Sequence, residues 1–340
     1  MKMELSRSAD TQILPWQMES VTCDTCGSSN AVTVMHGTDT RFHLPGEYTL
    51  VRCQNCGLVY MNPRPIASDL GKTYPENYQA FQAAAPPTEA TASPLKQRIT
   101  QIMASHYWDR SELLISAALL PLTLYSRLRG HVFYPPKPGR ALDIGCGSGW
   151  VMKRLQRLGW EVVGIEPNPE AAQNARTLTG ATVYTGYFMD IPLDSESFDL
   201  VIVSHVLEHV SDPKATLSEV FSLLKPGGSF FLAIPNFGCI ERKLTGANWQ
   251  QMDLPRHLYF FEPKTLRQAL EQVGLKIQRL EFISEGWALR VALLRSMKQP
   301  LGSLVDKLLK PITSLFCSVL TLVGTGNIMM AYARKLPRGD

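Results

Sequence analysis

From Arg140 onward, short apolar runs alternate with helical patterns, and this alternation limits the fold more than any other feature of the sequence. Residues 141–144, 161–165, 199–204 and 229–235 are runs rich in Val, Ile, Leu or Phe. Between them, 150–158, 169–177 and 214–224 carry helical spacing. Runs that are apolar throughout suit strands buried on both faces, so the pattern predicts βαβ units around a parallel sheet. The chain has 340 residues, enough for such a domain and a smaller second one. With 45% apolar and 19% charged residues it can fill a core, which excludes disordered and fibrous classes.

The run ALDIGCGSG at 141–149 follows a proline-rich lead-in and opens a helix. Glycines at such a junction let the backbone approach a ligand at a helix N-terminus. A dinucleotide fingerprint would need its third glycine at position 150, which is Trp150. An S-adenosylmethionine loop instead carries an acid two positions before the first glycine, and Asp143 stands there, placed to pair with the ligand's ammonium. The second strand ends at Glu166, followed by Pro167, where a carboxylate can accept both ribose hydroxyls.

Cys23 and Cys26 form one C-x-x-C-G knuckle, Cys53 and Cys56 another. Two knuckles supply four thiolates for a tetrahedral, structural zinc with no open position for chemistry. Met1 to Ser20 contains no apolar stretch of signal-peptide length, because Glu4, Arg7 and Asp10 interrupt it. The expectation is a cytoplasmic protein with reduced thiols. The formal net charge of +4 is too small to imply nucleic acid by itself.

Further along, the chain carries SFDLV (197–201), LEHV (207–210), LKPGG (224–228) and IPN (234–236). With the glycine loop and Glu166, these make residues 140–283 resemble a class I S-adenosylmethionine-dependent methyltransferase. The cysteine knuckles, with GLVY (57–60) and NPRP (62–65), resemble the N-terminus of a bacterial subgroup that joins a zinc ribbon to this domain. The resemblance implies a Rossmann-like α/β sheet of seven strands with helices on both faces, preceded by a small ribbon. It places cofactor contacts on Asp143, Gly145, Cys146, Gly147, Glu166, Pro167 and Ser204. One departure is Tyr187, which stands where many relatives carry an acid near the adenine amine.

Three segments are then expected: a ribbon at 21–80, a linker and helical bridge at 81–139, and the methyltransferase domain at 140–340. Leu275–Ile283 and 327–335 fit its closing antiparallel strands, with an apolar helical insertion at about 287–325. His209 is the first candidate base for a hydroxyl acceptor and His257 the second. The long segment 237–262 reads as a lid, with Trp249, Asp253 and Arg256, together with Asn236 just before it, as acceptor contacts. Its bland alternative is a salt-bridged loop.

The expected reaction is methyl transfer to a small molecule, most readily to a hydroxyl of a sugar, lipid-linked glycan or hydrophobic metabolite. Rival readings are an RNA methyltransferase gripping RNA through the ribbon, and a non-catalytic cofactor-binding scaffold. Residues 21–60 hold only Arg41 and Arg52 against Asp24, Asp39 and Glu47, which weakens the RNA reading, so no nucleic-acid partner is expected. The apolar stretches 111–126 and 301–333 could cap an acceptor pocket, pair across a dimer, or contact the inner face of a membrane peripherally.

Overall fold

The computed structural model describes residues 14–75 and 137–337. The linker at 82–95 and the apolar stretch 111–126 lie outside the described residues.

The chain enters through β1 (Met18–Glu19), β2 (Ala31–Gly37), β3 (Tyr48–Cys53), β4 (Val59–Met61) and β5 (Arg64–Pro65). The main sheet is built from β6 (Arg140–Ile144), β7 (Glu161–Glu166), β8 (Thr182–Thr185), β9 (Phe198–Ser204), β10 (Leu224–Pro235), β12 (Leu275–Ile283) and β13 (Ile328–Lys335). Its order is β12-β13-β10-β9-β6-β7-β8, and β13 runs antiparallel to both neighbours. The Rossmann-like sheet of seven strands is therefore present. The third strand, β8, escaped the sequence reading because only one of its four residues is buried.

Alternate residues of the central strands feed two cores. Leu200 and Ile202 join Met152, Leu155, Ala172 and Ala175, from α1 (Trp150–Arg157) and α2 (Pro169–Thr179). Val201 and Val203 join Leu217, Val220, Leu266 and Leu270, from α3 (Pro213–Leu223) and α5 (Pro263–Gln272). This two-sided burial explains the continuous apolar runs of the sequence. The helix starts are locally encoded. Asn168 and Asp212 accept the Ala171 and Ala215 N–H groups as N-caps, each followed by a proline at the first helical position.

The ribbon shares the second core. Leu50, Leu58, Val59 and Tyr60 belong to the same apolar cluster as α3 and α5. Its sheet has the order β11-β4-β3-β2, where β11 (Tyr259–Phe260) comes from the segment expected to be a lid. Tyr259 pairs with Tyr60, and Phe260 with Val59. That segment therefore adds a strand to the ribbon. It also holds the short α4 (Ile240–Thr245).

Strand order reverses between β6 and β9, so the ligand crevice is expected beyond their carboxyl ends. The late insertion consists of α6 (Gly286–Ser296) and α7 (Leu304–Leu322). Among the described residues, no helix is long and apolar enough to cross a membrane.

Candidate active site

The turn after β6 takes its shape from glycine. Gly145, Gly147 and Gly149 have φ of +71°, +52° and +86°. At Gly145 a Cβ would stand 2.4 Å from Val206 Cγ2, so this close approach seats the segment after β9 directly on the glycine turn. The Gly145 and Cys146 N–H groups donate to the Ile165 carbonyl. Glu166 braces the turn from β7: its Oε2 accepts the Gly147 N–H and its Oε1 the Asn168 N–H, both at 2.9 Å. Pro167 is exposed beside it, and Ser204 is half-buried at the end of β9.

Asp143 is buried, and its Oδ2 has no hydrogen-bond partner among the described residues. Burial, and then the charge of Glu166, push its carboxyl up to about 7. Burial also raises Glu166, against the two N–H groups it accepts. The Cys146 thiol is raised by burial and by both carboxylates, so it stays protonated. A buried carboxylate lacking a partner asks for a cation, and a second acid at the neighbouring strand end suits hydroxyls. These residues fit S-adenosylmethionine, with its ammonium at Asp143 and its ribose at Glu166.

Beyond β9 a turn at 207–209 carries Glu208 and His209 inward. Glu208 is fully buried, with its Oε1 3.3 Å from Nδ1 of the exposed His205. His209 Nδ1 lies 3.1 Å from the Arg256 carbonyl and 2.9 Å from the Tyr74 hydroxyl. His257 Nδ1 lies 2.9 Å from the Gln251 carbonyl. A carbonyl only accepts, so the His257 imidazole carries its proton on Nδ1 and keeps a lone pair on Nε2, whereas His209 Nδ1 faces both a carbonyl and a hydroxyl that can donate to it. The two rings meet edge-on, 4.5 Å between centroids. Burial lowers both to about 4. His257 adds to the effect on His209, and at His257 the Asp253 charge offsets only part of it. Both are therefore neutral at pH 7. One ligand atom from each of Glu208, His209 and His257 lies within 4.8 Å of the others, a grouping that a divalent cation could share.

The profile of a methyltransferase-domain family matches residues 118–280. The ubiquinone biosynthesis O-methyltransferase of Xanthomonas axonopodis pv. citri is 33% identical over 174 residues, covering 46% of this chain and 72% of that protein. The same-named protein of Xanthomonas campestris pv. campestris is 34% identical over 170 residues, covering 46% and 71%. The chain belongs to the class I S-adenosylmethionine-dependent methyltransferases. Among solved structures it is similar to an S-adenosylmethionine-dependent methyltransferase of Mesorhizobium loti (20% identity, TM-score 0.43, 62% of this chain and 96% of that chain).

In this methyltransferase the residues expected to touch the acceptor make extensive contacts within the chain. Arg256 is fully buried. Its Nη1 donates to Asp39 Oδ2 (3.1 Å) and the Thr73 carbonyl (3.0 Å). Its Nη2 donates to Asp39 Oδ1 (3.1 Å), Asp253 Oδ1 (2.9 Å) and the Leu254 carbonyl (3.2 Å), and its Nε to Asp253 Oδ1 (3.1 Å). The guanidinium also lies over the Phe42 ring. Arg256 thus ties the ribbon to the methyltransferase domain, and Asp253 is its counter-ion. Trp249 is buried against Phe237. Asn236 is consumed by the Gly326 carbonyl and the Gly238 N–H. Sequence reasoning had no local signal for Tyr74, which reaches His209 across 135 positions.

A cavity of about 320 Å³ opens between Arg140, Trp160 and Tyr184. It lies at the amino ends of β6–β8, opposite the glycine turn, and the crevice rule favours the turn.

The four ribbon cysteines converge. Cys23 Sγ and Cys56 Sγ lie 3.5 Å apart, as do Cys26 Sγ and Cys53 Sγ, and all four sulfurs fall within 4.8 Å of one another. That spacing is too long for a disulfide and close to the edge of a tetrahedron with metal–sulfur bonds of about 2.3 Å. Gly27 and Gly57, at φ +72° and +85°, turn their N–H groups onto the Cys23 and Cys53 carbonyls and not onto sulfur. The donor set fits zinc.

Proposed function

We propose that this methyltransferase methylates a hydroxyl oxygen of a small acceptor (a sugar, a lipid-linked glycan or a hydrophobic metabolite), with His209 or His257 as the base. The observation that carries the reading is the pair of neutral imidazoles in edge contact, His209 on the segment that packs on Gly145 and His257 brought to it from segment 237–262. The names of the Xanthomonas relatives, both O-methyltransferases, support it. Bound S-adenosylmethionine supplies an activated methyl group for in-line displacement. The chain's own task is then to orient the acceptor and take its proton at an imidazole nitrogen. Asp143 and Glu166 hold the donor, and the Gln251 carbonyl fixes the tautomer of His257.

Replacing His209 or His257 with Gln is expected to lower kcat about 10²–10³-fold in one of the two variants, with cofactor affinity within about twofold by calorimetry. Full turnover in both variants would reduce the site to positioning alone. A second reading has its own support in the Glu208, His209 and His257 grouping: a divalent cation there would polarise the acceptor hydroxyl. Loss of turnover in chelator, restored by one divalent metal without any change in ribbon zinc, would select it.

The ribbon, on this proposal, holds one structural zinc and no nucleic acid. Its arginines already face acids: Arg41 meets Asp253, Arg52 meets Glu262, and Arg64 meets Glu19 and Asp24. Elemental analysis should find about one zinc per chain, and Cys53→Ser should lose it together with part of the β-sheet signal. A metal-free protein with an intact ribbon would contradict the assignment.

A further inference from the structure

The helix α7 is inside out. Its buried face is small and polar: Thr313, Cys317 and Thr321, with Leu320. The two threonine hydroxyls bond back to the Leu309 and Cys317 carbonyls, and Thr321 Oγ1 also accepts the Ser284 N–H. Small residues are required there, because the chain at Gly286 crosses so closely that a Cβ would lie 2.9 Å from Ser314 Cα. The large apolar side chains point outward instead. Leu304 is 73% exposed, Ile312 62% and Leu315 70%, and Leu308, Val319 and Leu322 follow the same line. Steps of four, four, three, four and three residues keep them on one stripe about 80° wide at 3.6 residues per turn.

Charge identifies what this stripe meets. Residues 286–323 carry Arg290, Arg295, Lys298, Lys307 and Lys310 against a single acid, Asp306. Asp306 is already engaged by Arg290 at 2.8 Å and by the Gly302 N–H. Lys307 is exposed on one flank of the stripe, where its stem can lie along an apolar surface while the ammonium reaches anionic groups; Lys310, also exposed, lies about a third of a turn from the stripe. Trp287, half exposed on α6, adds a side chain suited to the headgroup layer. A second copy of this chain would bring another set of cations and no complementary acid to this face.

The orientation also suits a surface-bound enzyme. β12 ends at Ile283 and β13 begins at Ile328, and these two residues pair beside Pro235 at the end of β10. The insertion thus leaves and rejoins the sheet at the carboxyl edge, the end that carries the glycine turn. We propose that the α6–α7 insertion docks this methyltransferase onto an anionic lipid bilayer, with the apolar stripe of α7 in the acyl–headgroup boundary and the flanking Lys307 at the lipid phosphates.

The test is flotation of the full chain with phosphatidylcholine vesicles, alone or containing about 30 mol% phosphatidylglycerol. Binding is expected to the anionic vesicles, weakened by high salt. The double variant Leu308→Glu, Leu315→Glu should reduce it about tenfold or more, and Lys307→Glu, Lys310→Glu comparably. All four side chains face solvent, so melting temperature and S-adenosylmethionine affinity should not change, which separates this docking from the catalytic reading. No flotation, or equal flotation with neutral vesicles, would overturn the proposal. So would a lipid-free dimer that Leu308→Glu splits, which would assign the stripe to a second copy.

Discussion

Replacing Arg256 with Met is expected to destabilise the protein by about 3–5 kcal/mol. The guanidinium donates to two buried carboxylates, Asp39 of the ribbon and Asp253 of the methyltransferase domain, and to two carbonyls. Its removal takes the paired cation from buried Asp39 and leaves buried Asp253 with the more distant Arg41, at 3.8 Å. The loss should appear as a melting temperature lower by about 6–20 °C. Arg256→Lys should recover only part of it, because a single ammonium cannot span both carboxylates. The acid limb should move as well. Burial works to raise Asp253, but the charges of His257 and Arg256 hold it at about 2. A depressed folded-state value means that its contribution is present above the usual carboxylate range near pH 4 and fades as pH falls toward 2. Without Arg256, acid unfolding should begin at higher pH. A change below about 1 kcal/mol in Arg256→Met would show that the ribbon is not clamped through this residue.

Glu166→Ala should weaken S-adenosylmethionine binding by about two to four orders of magnitude, from the loss of two hydrogen bonds to a charged acceptor. The variant also removes the brace on the Gly147 and Asn168 N–H groups. Asp143 adds a pH dependence whose direction is determined by its environment. Its carboxyl rests near 7, protonated below that, and must ionise to meet an ammonium. Binding therefore releases a proton, and affinity should rise from pH 6 to pH 8, approaching tenfold per unit on the acid side. Asp143→Asn should flatten that profile. Calorimetry in buffers of different ionisation enthalpy measures both quantities. Unchanged affinity in Glu166→Ala, or a flat profile in the parent protein, would remove the assignment.

The legible parts of the site share one property: their geometry is local. Asp143, Gly145 and Gly147 lie within one strand–turn–helix unit, and Glu166 closes the neighbouring strand, so the backbone rules that make the turn also bring them together. The knuckle cysteines are equally local, two residues inside each pair. Less legible are contacts that depend on how separate segments fold onto each other. Arg256 looks like an acceptor-binding cation until Asp39 is seen 217 positions away in sequence. Trp249 looks like a pocket wall until it is found buried against Phe237. β8 was missed because a half-exposed edge strand has no continuous apolar run.

Sequence alone determined that a parallel sheet would form, where its glycine turn and acids would fall, and that four thiolates would come in pairs. Periodicity, backbone freedom and metal-ligand spacing act over a few residues, and a single chain displays them openly. Only the tertiary structure decided that 237–262 adds a strand to the ribbon, that the two histidines meet edge-on, and that α7 turns its leucines outward. Those outcomes depend on which distant surface supplies a carbonyl, a carboxylate or a close helix crossing, and no local pattern records that choice.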